Sequence, residues 1–375
     1  MVRFFKMVLA AGLSFSAVSS FACTSVIISG GKSGSGRPVM MKHRDTGTLD
    51  NRMEWFKGEK YAFIGLVNSD WAEKPTAVAP FPFAEVWAGS NTAGFCIMNT
   101  ATYDIKDDDV PDSLMDREGF FMYRALEICA NIADFENYLD TLSRPMGVEA
   151  NFGVIDAHGG AAYYEVNNSR WFKFDVNADR EGWCVVTNFT QHGRKEDRKG
   201  VDRYNKACSL MAREATPSSL AIWKDHTWLI NNISRSGTPI LRDISSACIV
   251  FEGVAPGENP QHTVVWAAVG WPAATVYVPL LPFCGNLIPA YLSGNAGTGH
   301  SLFCDNSLKW KAAGTDVSAA VRKTEGMIDS RFTSLYLRWK GGKISDYHFI
   351  QGYASLLDRI GKEYGRNVAH LPKYD

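Results

Sequence analysis

Short β-rich runs separated by turns occur along much of the chain. Residues 24–29 and 38–43 flank a Gly-rich turn at 30–36, which predicts an antiparallel hairpin. Residues 151–155 and 161–166 flank the turn sequence Asp-Ala-His-Gly-Gly and predict a second hairpin. Because hairpins join neighbouring strands in antiparallel order, the pattern favours antiparallel sheets over a parallel βαβ fold.

Helical periodicity alternates with further β-rich runs. Additional strands are predicted at 61–67, 95–100, 170–174, 183–187, 263–269 and 274–279. Apolar residues at helical spacing predict helices at 119–142, 203–213, 217–231, 317–338 and 345–366. The 46% hydrophobic and 21% charged residues are typical of a folded globular protein. Together these features predict a layered α+β protein whose last third is mainly helical.

The charge balance argues against a nucleic-acid partner. Lys and Arg total 39 against 40 Asp and Glu, a formal net charge of -1, and no basic run is long enough to follow a phosphate backbone. The 8 His residues are scattered without a His-Glu-x-x-His motif, and no Cys pair has zinc-ligand spacing. The sequence therefore predicts no metal site and no cofactor.

The N-terminus has the pattern of a secretory signal peptide. Arg3 and Lys6 precede an apolar stretch at 7–18, and residues 20–22 (Ser-Phe-Ala) have the small-x-small form that signal peptidase cleaves. The apolar stretch is shorter than the roughly 20 residues that a transmembrane helix needs. We expect residues 1–22 to be removed, which predicts an exported protein, periplasmic or extracellular, whose mature chain begins at Cys23.

A cysteine at this place has three interpretations. A new N-terminal Cys23 would carry its own α-amino group, whose pKa of about 7.7 to 8 suits it to take the proton of a thiol with a pKa of about 8.5. Lipoproteins also have Cys at this position, although Ser20 and Phe21 weaken the usual signal for acylation. An incidental cysteine is the third reading. Its position alone does not decide whether Cys23 is a nucleophile, a lipid anchor or an incidental cysteine.

The remaining cysteines divide into two groups. Cys284 and Cys304 lie in loop-like sequence and could form a disulfide in an oxidising compartment. The others lie in apolar or helical runs, where a free thiol acts as a small buried hydrophobe: Cys96, Cys129, Cys184, Cys208 and Cys248.

The sequence that follows Cys23 distinguishes between these interpretations. Cys23-Thr-Ser-Val-Ile-Ile, a Gly-rich turn and Met-Lys42-His-Arg44-Asp45 resemble the opening of the N-terminal-nucleophile hydrolases that cut linear amides. This superfamily includes bile salt hydrolase, penicillin V acylase, acid ceramidase and the acyltransferase that makes penicillins. Its members open with Cys-Thr and return with a basic residue and an Asp beside the nucleophile. The family usually has Arg where Lys42 stands, so Lys42 or Arg44 would fill that role.

Three later segments resemble the same family in the same order. Asn91-Thr-Ala-Gly-Phe-Cys-Ile-Met-Asn99 is similar to a segment that leads to an oxyanion-hole Asn, with Thr where the family has Glu. Val-Thr-Asn188-Phe resembles a strand end that borders the active site, and Asp-Arg203-Tyr resembles a helix start with an active-site Arg. Asn side chains can donate to a developing oxyanion without titrating.

The resemblance implies a four-layer αββα sandwich over residues 23–375, with a helical C-terminal part, and a role for each matched residue. Cys23 would attack the amide carbonyl, and Asp45 would orient its α-amino group. Asn99 and Asn188 would stabilise the oxyanion and bind substrate, and Arg203 would support the site electrostatically. Lys42, Arg44 and Asn91 are the remaining substrate-binding candidates.

The implied reaction is hydrolysis of a small, N-acylated amide through a thioester on Cys23. A Cys-Thr dipeptidase and an acyltransferase of the same superfamily remain open, since they share its opening residues or its first chemical step. A lipid-anchored binding protein without turnover is the alternative from a different class. The sequence does not identify the amide or the oligomeric state.

Overall fold

The computed structural model describes residues 22–69, 85–214, 225–294 and 299–371. The predicted signal peptide, apart from Ala22, lies outside these ranges, as does the first half of the helix predicted at 217–231. Among the described residues, no helix combines the length and the apolar character needed to cross a bilayer.

The described residues form two antiparallel sheets and several helices. The strands are β1 (Thr24–Ile28), β2 (Val39–Asp45), β3 (Asn51–Phe56), β4 (Phe63–Asn68), β5 (Ala88–Asn91), β6 (Cys96–Ala101), β7 (Ala150–Ile155), β8 (Ala161–Val166), β9 (Trp171–Asp175), β10 (Trp183–Val186), β11 (Ser245–Glu252), β12 (Val264–Val269) and β13 (Val278–Leu280). The helices are α1 (Glu118–Ile128), α2 (Ile132–Thr141), α3 (Val201–Glu214), α4 (Asp225–Trp228), α5 (Ala290–Ser293), α6 (Leu302–Ala312), α7 (Ser318–Lys340) and α8 (Asp346–Val368).

The two sheets differ in how their strands are ordered. In the described chain the six-stranded sheet has the order β10-β1-β2-β11-β12-β13, and the seven-stranded sheet runs β3 to β9 in chain order. Both predicted hairpins are confirmed: β1 pairs with β2, and β7 pairs with β8. The seven-stranded sheet is therefore a meander of local connections, whereas the six-stranded sheet joins strands that are far apart in sequence.

The sheets pack face to face. Apolar side chains of β1 and β2 share one core with those of β6 and β8. Gly153 on β7 lies where the sheets approach closely, because a Cβ there would meet Met98 Cε at 2.7 Å and Met40 Sδ at 3.0 Å. Ser25 Oγ and Tyr163 Oη, 2.7 Å apart, form a hydrogen bond between the two sheets.

Helices cover both outer faces. Aromatic and aliphatic residues of α1 and α2 pack on the outer face of the seven-stranded sheet, where Phe121 stacks on Phe152. On the other side, α7 and α8 pack against the six-stranded sheet; Phe332 lies edge-on to Trp266, and Tyr353 donates to the Pro279 carbonyl at 2.9 Å. The predicted α+β class and its αββα layering are confirmed.

Several predicted elements are corrected. The single helix predicted at 119–142 is two helices, because Asn131 accepts a hydrogen bond from the Asp134 amide and caps a new helix. The strand predicted at 274–279 is only the short edge strand β13, where Pro279 needs no ladder partner. Strands β3, β5 and β11 and helix α6 were not predicted. Residues 229–234 form a π-helical turn instead of continuing an α-helix.

Candidate active site

A cavity of about 450 Å³ opens between the ends of the two sheets. Five of the predicted site residues line it: Cys23, Lys42, Arg44, Asp45 and Asn99. Cys23 precedes β1, the next three lie on β2, and Asn99 lies on β6 of the opposite sheet. The cavity therefore gathers side chains from both sheets around the predicted nucleophile.

The backbone nitrogen of Cys23 is held by a side chain. It donates to Asn188 Oδ1 at 2.9 Å, and Cys23 itself is buried. Arg203 at the start of α3 donates to the Cys23 carbonyl, to Thr24 Oγ1 at 3.2 Å and to Asn188 Oδ1 at 2.6 Å. Arg203 thus fixes both Cys23 and the residue that holds its nitrogen.

The contacts of Asn188 favour a positioning role over the predicted oxyanion and substrate-binding roles. Its Oδ1 accepts from both Cys23 and Arg203, while its Nδ2 donates to the Ala101 carbonyl at 2.7 Å. Asn188 is fully buried and is not among the residues that line the cavity. Both the oxygen and the nitrogen of its side-chain amide already have hydrogen-bond partners within the protein.

In the chain that still carries Ala22, Asp45 is held by Arg242 and Ser245. Its carboxylate accepts from Arg242 Nε at 2.9 Å, from Arg242 Nη2 at 2.7 Å and from Ser245 Oγ at 2.6 Å. In the chain that still carries Ala22, the Cys23 nitrogen is held by Asn188 instead, and the Ala22 amide donates to the Asp45 carbonyl at 3.0 Å. An orienting contact between Asp45 and the freed amine stays a prediction for the processed chain.

Lys42 and Asn99 form a buried pair that links the two sheets. Lys42 Nζ donates to Asn99 Oδ1 and to the Trp87 carbonyl, each at 2.6 Å. This contact occupies the Asn99 oxygen, and Asn99 also lines the cavity. Burial lowers the pKa of Lys42 to about 7, although the nearby Cys23 thiolate favours the charged form.

Arg44 is held by side chains on two neighbouring strands. Arg44 donates to Asn51 Oδ1 and to Asn68 Oδ1, the latter at 3.0 Å, and lies over the Trp87 ring. The geometry therefore favours Lys42 over Arg44 for the basic role beside Cys23.

The contacts of Asn91 favour a structural role over the predicted substrate-binding role. Its Nδ2 donates to the carbonyls of Leu126 and Cys129 at 2.9 and 2.7 Å. Its Oδ1 accepts from the amides of Ala93 and Phe95 at 3.0 and 3.1 Å. All the hydrogen-bonding capacity of this side chain ties the β5–β6 turn to the end of α1, and Asn91 does not line the cavity.

Carboxylates that the sequence did not single out line the same cavity. Glu118 begins α1, Glu149 directly precedes β7, and Asp116 lies at the exposed end of the loop before α1. Burial raises the pKa of both Glu118 and Glu149 to about 7. No local pattern could have found them, since they lie in different elements and meet only in the folded chain.

Three titratable groups that the sequence analysis considered lie outside the cavity. His43 is buried behind Asp45, with its Nε2 2.9 Å from Ser245 Oγ. Cys284 and Cys304 are buried free thiols whose pKa values burial raises to about 12, so the disulfide that they could form is absent.

One group among the described residues has ligand atoms close enough together to hold a metal ion. Ligand atoms of Asp50, His300 and Asp305 lie within 4.8 Å of one another. These residues are partly or fully exposed and do not line the cavity with Cys23. Exposed acidic groups often cluster in this way without binding an ion, so we assign the cluster no role.

The chain is similar to solved structures of amide hydrolases and acylases, at low identity. A Caenorhabditis elegans N-acylethanolamine-hydrolyzing acid amidase ortholog has 18% identity and a TM-score of 0.42, over 63% of this chain and 93% of that one. A conjugated bile acid hydrolase variant from Clostridium perfringens has 11% identity and a TM-score of 0.45, over 73% and 94%.

Penicillin V acylase from Agrobacterium tumefaciens has 14% identity and a TM-score of 0.42, over 69% of this chain and 86% of that one. Proteins of these kinds are the ones that the sequence resembles around Cys23. No protein-family model and no curated protein matches the chain.

Proposed function

We propose that the processed chain is an exported cysteine N-terminal-nucleophile hydrolase that cleaves a linear amide C–N bond through a thioester on Cys23. One observation carries the proposal. The residue that follows the predicted cleavage site lines the cavity between the sheets, with its nitrogen held by Asn188 at 2.9 Å. Cleavage after Ala22 would turn that nitrogen into a free amine beside the thiol.

Activation of the thiol follows from this arrangement. The freed α-amino group, with a pKa of about 8, would take the proton of the Cys23 thiol near neutral pH. Asn188 and Arg203 would hold the amine and the Cys23 carbonyl in place while the proton moves.

The attack requires a donor for the carbonyl oxygen. Cys23 Sγ would bond to the carbonyl carbon, and the oxygen would become negative as the C=O double bond opens. Asn99 lines the same cavity, and Lys42 fixes its orientation by occupying Oδ1 at 2.6 Å, so its Nδ2 would be the donor. A donor held in place before the reaction stabilises the oxyanion without a cost of reorganisation during it.

Two proton transfers complete the cycle. The ammonium of Cys23 would give its proton to the leaving nitrogen as the C–N bond breaks, which leaves an acyl thioester on Sγ. Water, deprotonated by the same amine, would then attack the thioester and release the carboxylic acid and the thiol. An acyltransferase would differ only in accepting an amine at this second step.

The nucleophile is tested with the processed enzyme and a panel of amides. The panel contains N-acylethanolamines, conjugated bile acids, penicillin V, N-acyl amino acids and dipeptides. Cys23→Ala should lose all turnover and keep its melting curve, and Cys23→Ser should lose most of its rate because a hydroxyl is far harder to deprotonate. Cys208→Ala is the matched control, since Cys208 is partly buried on α3 away from the cavity.

Two further measurements test the details of the proposal. Intact mass should show an acyl adduct on Cys23 during turnover, and a diacylated Cys23 would instead support the lipid-anchored binding protein. A chain that retains residues 1–22 should be inactive, since its Cys23 nitrogen is an amide. Full activity of that chain, or of Cys23→Ala, would contradict the mechanism.

A further inference from the structure

Besides Asp45, the cavity is lined by the carboxylates of Glu85, Asp116, Glu118 and Glu149. We call the last three the acidic wall. Glu118 is 8% exposed, and its Oε1 accepts from the Glu149 amide at 2.9 Å. Glu149 Oε1 is buried without a hydrogen-bond partner. Asp116 lies at the exposed end of the wall. The two glutamates thus carry acceptor capacity that the protein itself does not use fully.

The cations that line the cavity donate hydrogen bonds to other groups, although Lys42 and Lys106 act electrostatically on Glu118 and Glu149. Lys42 donates to Asn99 and to the Trp87 carbonyl, and Arg44 donates to Asn51 and Asn68. Lys106 donates to the Val110 carbonyl at 3.2 Å, and its charge favours the ionised form of Glu149.

Within the described ranges, none of the three carboxylates of the acidic wall forms an ion pair. Neighbouring anions also disfavour the charged forms of the two glutamates. Asp116 acts in this way on both Glu118 and Glu149, and Asp108 acts on Glu149. Arg194 acts on Glu149 in the opposite direction. A buried carboxylate without a counter-ion destabilises a folded protein. Above a pH of about 7, where both glutamates ionise, a cation that enters the cavity would balance the charge of the acidic wall.

We infer that the acidic wall binds an ammonium group of the substrate, so that this enzyme cleaves amides that carry a positive charge on the acyl or the amine side. The inference rests on the proposed function, which places the scissile bond at Cys23. An ammonium group can donate to several carboxylate oxygens at once, and such charge-assisted hydrogen bonds are stronger than neutral ones.

The acidic wall and the nucleophile belong to the same binding site. The Thr102 amide donates to the Glu149 carbonyl at 3.0 Å, which joins the wall to the end of β6, the strand that carries Asn99. Tyr103, the next residue, is electrostatically coupled to Cys23 as well as to Asp116 and Glu118. One small substrate could therefore contact the wall while its carbonyl lies beside Cys23.

The geometry favours an organic cation over a metal ion. Among the described residues, only Asp50, His300 and Asp305 bring three ligand atoms within 4.8 Å of one another. The carboxylates of the acidic wall are spaced more widely. That spacing suits an ammonium group with several donors, whereas a single divalent ion needs converging oxygens at short distances.

The experiment uses matched probes that differ only in charge. γ-Aminobutyryl anilide and γ-hydroxybutyryl anilide place the ammonium or a neutral hydroxyl on the acyl side. N-(aminoethyl)butyramide and N-(hydroxyethyl)butyramide place them on the amine side. A series with longer and shorter chains accompanies each pair. At a pH of about 8 the ammonium groups are charged, and both glutamates of the acidic wall are ionised.

With the processed enzyme, kcat/KM for one ammonium series should exceed that of its hydroxyl partner by about tenfold or more, which corresponds to one hydrogen bond between charged groups. The ratio should fall close to one in Glu118→Gln combined with Glu149→Gln. It should be unchanged in Glu136→Gln, whose carboxylate pairs with Lys173 away from the cavity. Equal rates in all the pairs, or a ratio that the double variant leaves unchanged, would overturn the inference.

Binding to Cys23→Ala separates this inference from the proposed function. Calorimetric titration with the same probes needs no turnover, so it reports the preference for charge even if no amide is cleaved. Preferential binding of the ammonium probes without any hydrolysis would contradict the proposed function and support the acidic wall. Hydrolysis without a charge preference would support the proposed function and contradict the acidic wall.

If the double variant does not fold, the pH dependence of binding provides the second test. The charge preference of Cys23→Ala should grow as the pH rises through about 7, where both glutamates ionise. A preference that is absent at every pH contradicts the acidic wall, whatever the variants do.

Discussion

The two sides of the cavity treat their buried charges in opposite ways. Beside the nucleophile, Asp45 is neutralised by Arg242, and Arg203 donates to groups on Cys23, Thr24 and Asn188. On the acidic wall, Glu118 has a backbone amide for a partner, and Glu149 Oε1 has none. Groups that keep a reacting atom in position are paired within the protein. Groups that would accept a ligand are left partly unpaired.

The largest effect should separate a catalytic Asn from a structural one. Asn99→Ala should lower kcat by about 100 to 1,000-fold with little change in KM or melting temperature, because it removes the proposed oxyanion donor. Asn91→Ala should keep kcat per folded molecule and lose about 1 to 3 kcal/mol of stability or more, because it leaves buried turn groups unpaired. Kinetics normalised to active protein, beside a melting curve for each variant, would decide. An unchanged kcat in Asn99→Ala would remove this residue from the site.

Catalysis should also depend on the shape of the cation beside the nucleophile, Arg203. Arg203→Lys keeps the positive charge but loses the planar fork that reaches Cys23, Thr24 and Asn188 together. We expect kcat to fall by about 10 to 100-fold, since a small misplacement of reacting groups is costly. Arg213→Lys at the exposed end of α3 is the control. Equal activity of the two variants would show that charge alone suffices.

Stability should respond to pH through Lys42. Its pKa is about 7 in the folded protein against 10.5 for the free side chain, so the unfolded chain binds more protons between these values. Its contribution to the free energy of unfolding should therefore increase as the pH rises from about 7 toward 10.5. Lys42→Met should lack this increase, which urea unfolding across that range would measure. A constant difference between the two proteins would contradict the lowered pKa.

The smallest effect should appear at the acidic wall, where the contribution of Glu118 to stability should decrease as the pH rises. The pKa of Glu118 is about 7 in the folded protein against 4.5 for the free side chain, so its contribution to stability is present below 4.5 and lost as the pH rises through 7. Glu118→Gln keeps an oxygen for the Glu149 amide and should be more stable than the parent at a pH of about 8, by about 1 to 3 kcal/mol. Glu136→Gln should show no such gain. A destabilised Glu118→Gln would mean that the carboxylate serves the fold.

The predictable parts of the fold are those that depend on neighbouring residues. Two-residue periodicity and Gly-rich turns predicted the hairpins β1–β2 and β7–β8. Strand β11 was missed although it lies between β2 and β12, because its opening Ser-Ser-Ala-Cys does not have a β-rich pattern and its pairing is long-range. Burial between two strands, not local propensity, stabilises it in the sheet.

The same distinction applies to the site. The sequence by itself predicted that Cys23 follows a cleavable segment, and it pointed to Lys42, Asn99 and Arg203, because spacing along the chain carries that information. The tertiary structure decided which partner each side chain has. It joined Asp45 to Arg242 across the six-stranded sheet and used Asn91 in a turn. It also assembled the acidic wall from separate elements. A hydrogen-bonding group takes the partner that is nearest in space, and the chain reveals that partner only after it has folded.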